Sequence, residues 1–115
     1  MASTTQSRKA KGRKLQKMVR DKILISYPQL SEKDVVSTPM GVSGADVQLS
    51  EKASTIFPFS VEAKNQEKLN IWSAIKEAEG GNRDLMPLLV FKRNGTKTYC
   101  CLEIEDFFKI LLQEK

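Results

Sequence analysis

The chain has 115 residues, 40% hydrophobic and 29% charged, with 19 Lys+Arg against 14 Asp+Glu and no histidine. That length fits one domain with one core; no apolar run nears the ~18 residues of a membrane span; and the polar start, Met1 to Ser7, is unlike a secretory signal, so a soluble, intracellular (cytoplasmic) domain with no membrane partner is expected. Without histidine, Ser–His and Cys–His chemistry and most catalytic zinc sites are excluded.

The charge is uneven along the chain. Residues 1–25 carry eight basic groups and one acid, a balance of +7, while residues 26–115 carry eleven basic and thirteen acidic groups, a balance of −2. The basic residues Arg8, Lys9, Lys11, Arg13, Lys14 and Lys17 form an electrostatic footprint for a polyanion such as DNA. Residues 1–11 read as a flexible basic arm and 12–115 as a single domain.

From about Gln6 to Ser26 the pattern is helical, with Leu15, Met18, Val19 and Ile23 on one stripe. Gly12 weakens the first turns, so an ordered start near Gly12 is expected, and Pro28 lies past the end. Ser31 and Asp34 can cap a turn. Val35 to Thr38 and Ala45 to Leu49 read as strands around the loop Pro39-Met40-Gly41-Val42-Ser43-Gly44. Ser50 to Phe57 is ambiguous, with one or two helical turns as one reading. Phe59 to Lys64 alternates as a strand, with Phe59, Val61 and Ala63 on one face and Ser60, Glu62 and Lys64 on the other.

Asn70 to Glu79 reads as a helix that Gly80-Gly81 stops. Trp72 lies off its apolar stripe, with packing the expected role and stacking on a base or sealing a dimer interface the alternatives. Met86 to Arg93 is an apolar strand, Asn94-Gly95 a hairpin turn, and Lys97 to Leu102 the return strand. Ile104 to Gln113 reads as a final helix with Ile104, Phe107, Phe108 and Leu111 toward the core. The expected fold class is α/β: a single mixed central sheet flanked by helices, in the order αβββαββα. Cys100 and Cys101 are adjacent, which is no zinc-ligand spacing, and they are read as ordinary thiols.

The chemistry concentrates in Gly44-Ala45-Asp46 and Val61-Glu62-Ala63-Lys64. Glu62 and Lys64 stand two residues apart on a strand, hence on one face. A carboxylate there can bind a hard divalent cation, Asp46 on the neighbouring strand can supply a second, and the Ala63 carbonyl a further oxygen. Lys64 can hold the attacking water or offset charge on a phosphate. Asn65 follows directly and can contact phosphate oxygens. Lys92 and Arg93 end the long strand on alternate faces, so at most one of them faces the site.

A basic N-terminal helix followed by "MGVSGADVQLS", "FPFSVEAKNQEKLNIWSAIKEAE" and "MPLLVFKRNG" resembles the PD-(D/E)xK nuclease superfamily over about residues 8–112. Within it the chain is similar to small phage-type endonucleases related to archaeal Holliday-junction resolvases. The resemblance implies a restriction-endonuclease-like fold, Asp46 as the first carboxylate, Glu62 and Lys64 as the acid and lysine of the later motif, and Ser43 near the scissile phosphate. The family often adds a helix Glu as a metal ligand. Here the helix has none, and Gln16 is the side chain available to hold a metal-bound water or contact DNA. Glu77, where some relatives carry Gln, is given no ligand role.

The function expected on these grounds is Mg²⁺-dependent cleavage of branched DNA such as a four-way junction, with Mn²⁺ able to substitute and a homodimer making two symmetric nicks. The alternatives are a flap, nicking or single-strand nuclease of the same superfamily, or a non-catalytic DNA-binding protein with a degenerate nuclease fold.

Overall fold

The computed structural model describes residues 5–113 and begins with a 22-residue helix, α1 (Thr5–Ser26). The helix runs through Gly12, so residues 5–11 of the expected arm are its first turns; residues 1–4 lie outside the described residues. A mid-helix glycine costs about 1 kcal/mol relative to alanine. Three buried side chains about one to three turns further on, Leu15, Val19 and Ile23, offset that cost, since burying each contributes roughly 1.5–3 kcal/mol.

A short hairpin follows, β1 (Val35–Ser37) and β2 (Val47–Leu49), paired antiparallel. Asp34 anchors it: its carboxylate accepts from the Ser31 N–H at 2.9 Å and from the Ser50 hydroxyl at 2.7 Å. The ambiguous segment is a helix, α2 (Glu51–Ile56), capped by Ser50 through the Ala53 N–H. Next come β3 (Phe59–Asn65), α3 (Ile71–Glu79) and β4 (Met86–Lys92). The Asn70 side chain caps α3 by accepting from the Ser73 N–H at 3.0 Å. β3 and β4 are parallel, in register from Phe59↔Met86 to Asn65↔Lys92, with α3 as the crossover. The Asn94-Gly95 turn, with Gly95 at φ 79°, leads to β5 (Tyr99–Cys101), antiparallel to β4, and then to α4 (Ile104–Leu112).

β3 is the centre of the molecule. Val61 and Ala63 join Leu15, Val19, Ile23, Leu30, Val35, Val47, Ala53 and Val90 in the core under α1. The opposite face meets α3: Ser60 is 1% exposed, accepts from the Asn82 N–H at 2.9 Å, and sits so close to Gly81 that a Cβ there would collide with its Oγ. Among the described residues no helix is long and apolar enough to cross a membrane.

Four expectations need correction. The strands form two small sheets, β1-β2 and β3-β4-β5, in place of a single central sheet. The reason lies at Asp46. Its N–H bonds the Val61 carbonyl at 2.8 Å, as a ladder would, but the Ala63 N–H is taken by the Asp46 carboxylate at 2.7 Å. A side chain fills the place of the next strand carbonyl, and β2 diverges from β3. The order is accordingly αββαβαββα, with α2 inserted. Trp72 is 81% exposed and not packed. Ile104, Phe107, Phe108 and Leu111 do not face the core: α4 buries none of its residues.

Candidate functional site

Asp46 is fixed from four directions. Gly44, at φ 106°, makes the turn that brings the chain back to β3. Thr38 donates from its N–H to the Asp46 carbonyl at 2.9 Å and from its hydroxyl to the Ala45 carbonyl at 2.6 Å. Gln16, from α1, donates through Nε2 to the same Asp46 carbonyl at 2.8 Å. With the two bonds to β3, these contacts leave Asp46 little freedom. Its Oδ1 makes no hydrogen bond among the described residues, so half of the carboxylate is available for a ligand. Burial pushes its pKa up, against the Ala63 N–H bond and the Lys64 charge, which pull it down.

Glu62 and Lys64 share the α3 face of β3, as the alternation predicts, and lie 3.5 Å apart as an ion pair. Burial, followed by the nearby Asp46 charge, raises Glu62 to about 7. Two partly buried carboxylates with only one ammonium beside them repel each other, and one holds its proton near neutrality. Lys64 also bonds Glu77 Oε1 at 2.8 Å. Burial disfavours its charge, but the Glu77 hydrogen bond and the Glu62 and Glu77 charges outweigh this, and its pKa lies above the ordinary lysine value. Lys64 is thus a held cation, suited to donating hydrogen bonds and offsetting negative charge.

Glu77 is the site residue that sequence reasoning missed. It is thirteen positions from Lys64, and only the packing of α3 on β3 joins them. Its spacing from Ala74 and Ala78, which are buried against the sheet, was the available signal. Gln16 does reach the site, where one N–H of its amide is held on the Asp46 carbonyl, so it acts there as a positioning residue. Ser43 is exposed on the loop, with no hydrogen bond to Asp46, Glu62 or Lys64.

The basic residues divide between two surfaces. Arg13 lies one turn before Gln16 on the same face of α1, hence toward the Asp46 edge, and Lys9 lies a further turn back. On the other flank, Lys11, Lys14, Asn65, Lys92, Asn94 and Thr98 line a cleft between α1 and the β4–β5 end of the sheet. There Lys11 Nζ donates to Asn94 Oδ1 at 3.2 Å, and the buried Asn65 Oδ1 has no hydrogen-bond partner. This cleft opens on the α1 face of the sheet, while Glu62 and Lys64 are on the α3 face. Arg8, Lys17 and Arg93 are exposed and do not line this cleft; Lys17 follows Arg13 by one turn on the same flank of α1.

Asp46 and Glu62 are hard oxygen donors, and the Ala63 carbonyl shares the strand edge of its N–H, on the Asp46 side. The set suits Mg²⁺ or Mn²⁺, which take few protein carboxylates and keep several waters. A cation between the two carboxylates would also relieve the repulsion that raises Glu62. The set is lean: among the described residues no group of three or more His, Cys, Asp or Glu side chains is placed to hold a metal ion. Compared with known protein families, characterised proteins and solved structures, the chain finds no match.

Proposed function

We propose that this chain is a metal-dependent DNA endonuclease acting on branched DNA, of the PD-(D/E)xK type it resembles. The observation that carries the reading is the convergence of Asp46, from the bend just before β2, with Glu62 and Lys64 of β3. Asp46, Glu62 and the Ala63 carbonyl would hold a divalent cation. When bound, the cation supplies charge that acidifies a water and offsets the phosphate. Glu62 must lose its proton to serve as a ligand, so metal binding strengthens as pH rises through about 7. Lys64, held by Glu77, donates hydrogen bonds to the attacking water and to the phosphate oxygens as negative charge builds on them. Lys9 and Arg13 lead the DNA backbone to the Asp46 edge, and Lys11, Lys14 and Lys92 take a second backbone segment along the other flank of α1. Two separate tracks of positive charge fit a branched substrate better than a straight duplex, and so small a domain reads DNA shape more naturally than sequence.

A second reading, a DNA-binding protein with a degenerate nuclease fold, is favoured by one observation: the donor set lacks a third acid. Single-turnover cleavage of four-way junction, flap, duplex and single-stranded DNA, with Mg²⁺, Mn²⁺ or EDTA, separates the two. On the nuclease reading, Lys64→Ala lowers the rate by at least about 100-fold, as loss of one preorganised donor does, while junction binding persists. Lys64→Arg recovers little, because a larger planar group cannot take the same position. No metal-dependent cleavage of any substrate, or a Lys64→Ala rate within a few-fold of wild type, would overturn it.

A further inference from the structure

The parallel strands β3 and β4 end level with each other, Asn65 beside Lys92. Ligands of α/β sheets gather outside the carboxyl ends of such strands, and two clefts open there. One is the cleft on the α1 side, about 360 Å³, where Lys11, Lys14, Lys92 and Asn65 converge. The other, about 280 Å³, lies between Ile71 at the start of α3 and the β4–β5 hairpin, and Phe91, Tyr99, Arg93 and Gln66 line it. In the strand registers Phe91 stands beside Lys64 and Tyr99 beside Phe91, which puts both rings on the α3 face of the sheet. Lys92 lines both clefts, so they meet over the end of the sheet. Neither is lined by Asp46, Glu62 or Lys64.

We propose that the two clefts form one track for an unpaired strand of DNA, with a base stacked on Tyr99 and the phosphates held by Arg93, Lys92, Lys11 and Lys14. Three observations favour this occupant. The first is the ring. Tyr99 is 57% exposed, and half-buried Phe91 backs it, with ring centroids 6.3 Å apart and planes 34° from parallel. A ring braced from within and open outward is a platform on which any base can stack. The second is charge. Among the described residues Lys11, Lys14, Lys92 and Arg93 are in no ion pair. The one acid that lines either cleft, Glu67, is turned to the Asn94 N–H, from which it accepts at 2.7 Å.

The third observation is an acceptor without a donor. Asn65 Oδ1 is buried among the lysines of the first cleft and has no hydrogen-bond partner. A buried polar atom of this kind calls for a partner. A phosphate cannot serve, because it offers only acceptors, whereas a base carries N–H donors on its pairing edge. The ligand must therefore bring negative charge, a flat ring and an N–H group together, and a nucleotide brings all three. A duplex keeps its bases in the stack and its pairing edges occupied. It could offer these clefts phosphates alone, leaving Tyr99 and Asn65 unused.

The track rests on the reading that the chain binds DNA but needs no cleavage, so the test is fluorescence anisotropy of the full chain in EDTA. The probes are an oligothymidylate of about ten nucleotides and a blunt duplex of the same length. Tyr99→Ala should weaken the single strand at least about fivefold, the least that one lost stack costs, and the duplex by less than about twofold. Tyr99→Phe keeps the ring and should bind both as wild type does. Arg93→Ala, at an exposed position outside the ring pair, should make the salt dependence of single-strand binding shallower by roughly 0.7 in log–log slope. It keeps the test open if losing the Tyr99 ring disturbs the hairpin, which far-UV circular dichroism would report. A chain that binds duplex but not oligothymidylate would overturn the track and leave the DNA reading standing; a chain that binds no DNA would overturn both. Equal losses on single strand and duplex in Tyr99→Ala would overturn the track, as would equal displacement of the oligothymidylate by an oligoglutamate of the same charge. Single-strand binding with these variant effects, in a chain that cuts nothing, would support the track while removing the nuclease reading.

Discussion

The helices at the two ends of the chain make opposite use of their apolar residues. α1 is the less clearly amphipathic of the two, dominated by lysine and arginine, yet it buries Leu15, Val19 and Ile23 completely enough to roof the core. α4 has the sharper segregation of apolar from polar residues and buries nothing. Amphipathicity records that a face is to be covered; it does not say by what. α1 lies across β3, where Val61 and Ala63 supply a matching apolar surface. α4 follows β5 immediately, and the surface it reaches, around α2 and the start of β4, meets its polar side.

The sharpest way to break this comparison is a matched pair of truncations. Leu15→Ala removes a side chain that is 4% exposed and should cost about 2–5 kcal/mol. Leu111→Ala, on the open face, should change the stability of the single chain by no more than ~0.5 kcal/mol. Urea unfolding at concentrations where the chain is a monomer measures both. Equal losses would mean that α4 is packed in its own domain after all.

A smaller effect sharpens the account of β3, whose other face α3 covers. In the folded chain Glu62 is raised from 4.5 to about 7, so the folded state holds this proton more tightly than the unfolded state does. Stability is then fullest below about 4.5, declines as pH rises, and levels off above about 7. Discounted for solvent screening, the decline should be on the order of 1–2 kcal/mol. Glu62→Gln should flatten it. Asp34, whose pKa is lowered by its hydrogen bonds to Ser31 and Ser50, acts in the opposite sense but equally in both proteins, so the difference between the two urea-midpoint profiles reports Glu62 together with Asp46, the carboxylate it repels. Parallel profiles would show that Glu62 titrates as an ordinary surface acid and would remove the strained carboxylate pair.

The smallest expected effect separates the exposed faces of the two helices. If α1 carries the DNA backbone, Lys11→Ala and Lys14→Ala should each make the salt dependence of junction binding shallower by roughly 0.9 in log–log slope, one phosphate contact apiece. Lys109→Ala on α4 should leave the slope unchanged. Slopes that fall equally for all three would reduce the α1 lysines to general surface charge.

Local chemistry made much of this molecule legible in the sequence. Alternation placed Glu62 and Lys64 on one face of β3; Asn94-Gly95 marked the hairpin; Gly80-Gly81 ended α3; and the spacing of Leu15, Val19 and Ile23 identified the buried face of α1. Each depends on residues close in the chain, where backbone geometry alone fixes the relation. What only the tertiary structure decided depends on groups far apart in sequence. The single sheet became two because the Asp46 carboxylate, seventeen residues from Ala63, occupies a ladder position on β3. Gln16 became a positioning residue because α1 sets its amide on a carbonyl thirty residues away. Glu77 joined the site because α3 folds back over β3. The apolar face of α4 was plain in the sequence, but its direction was not, because helical periodicity fixes which residues share a face and leaves open which way the packed helix will turn it.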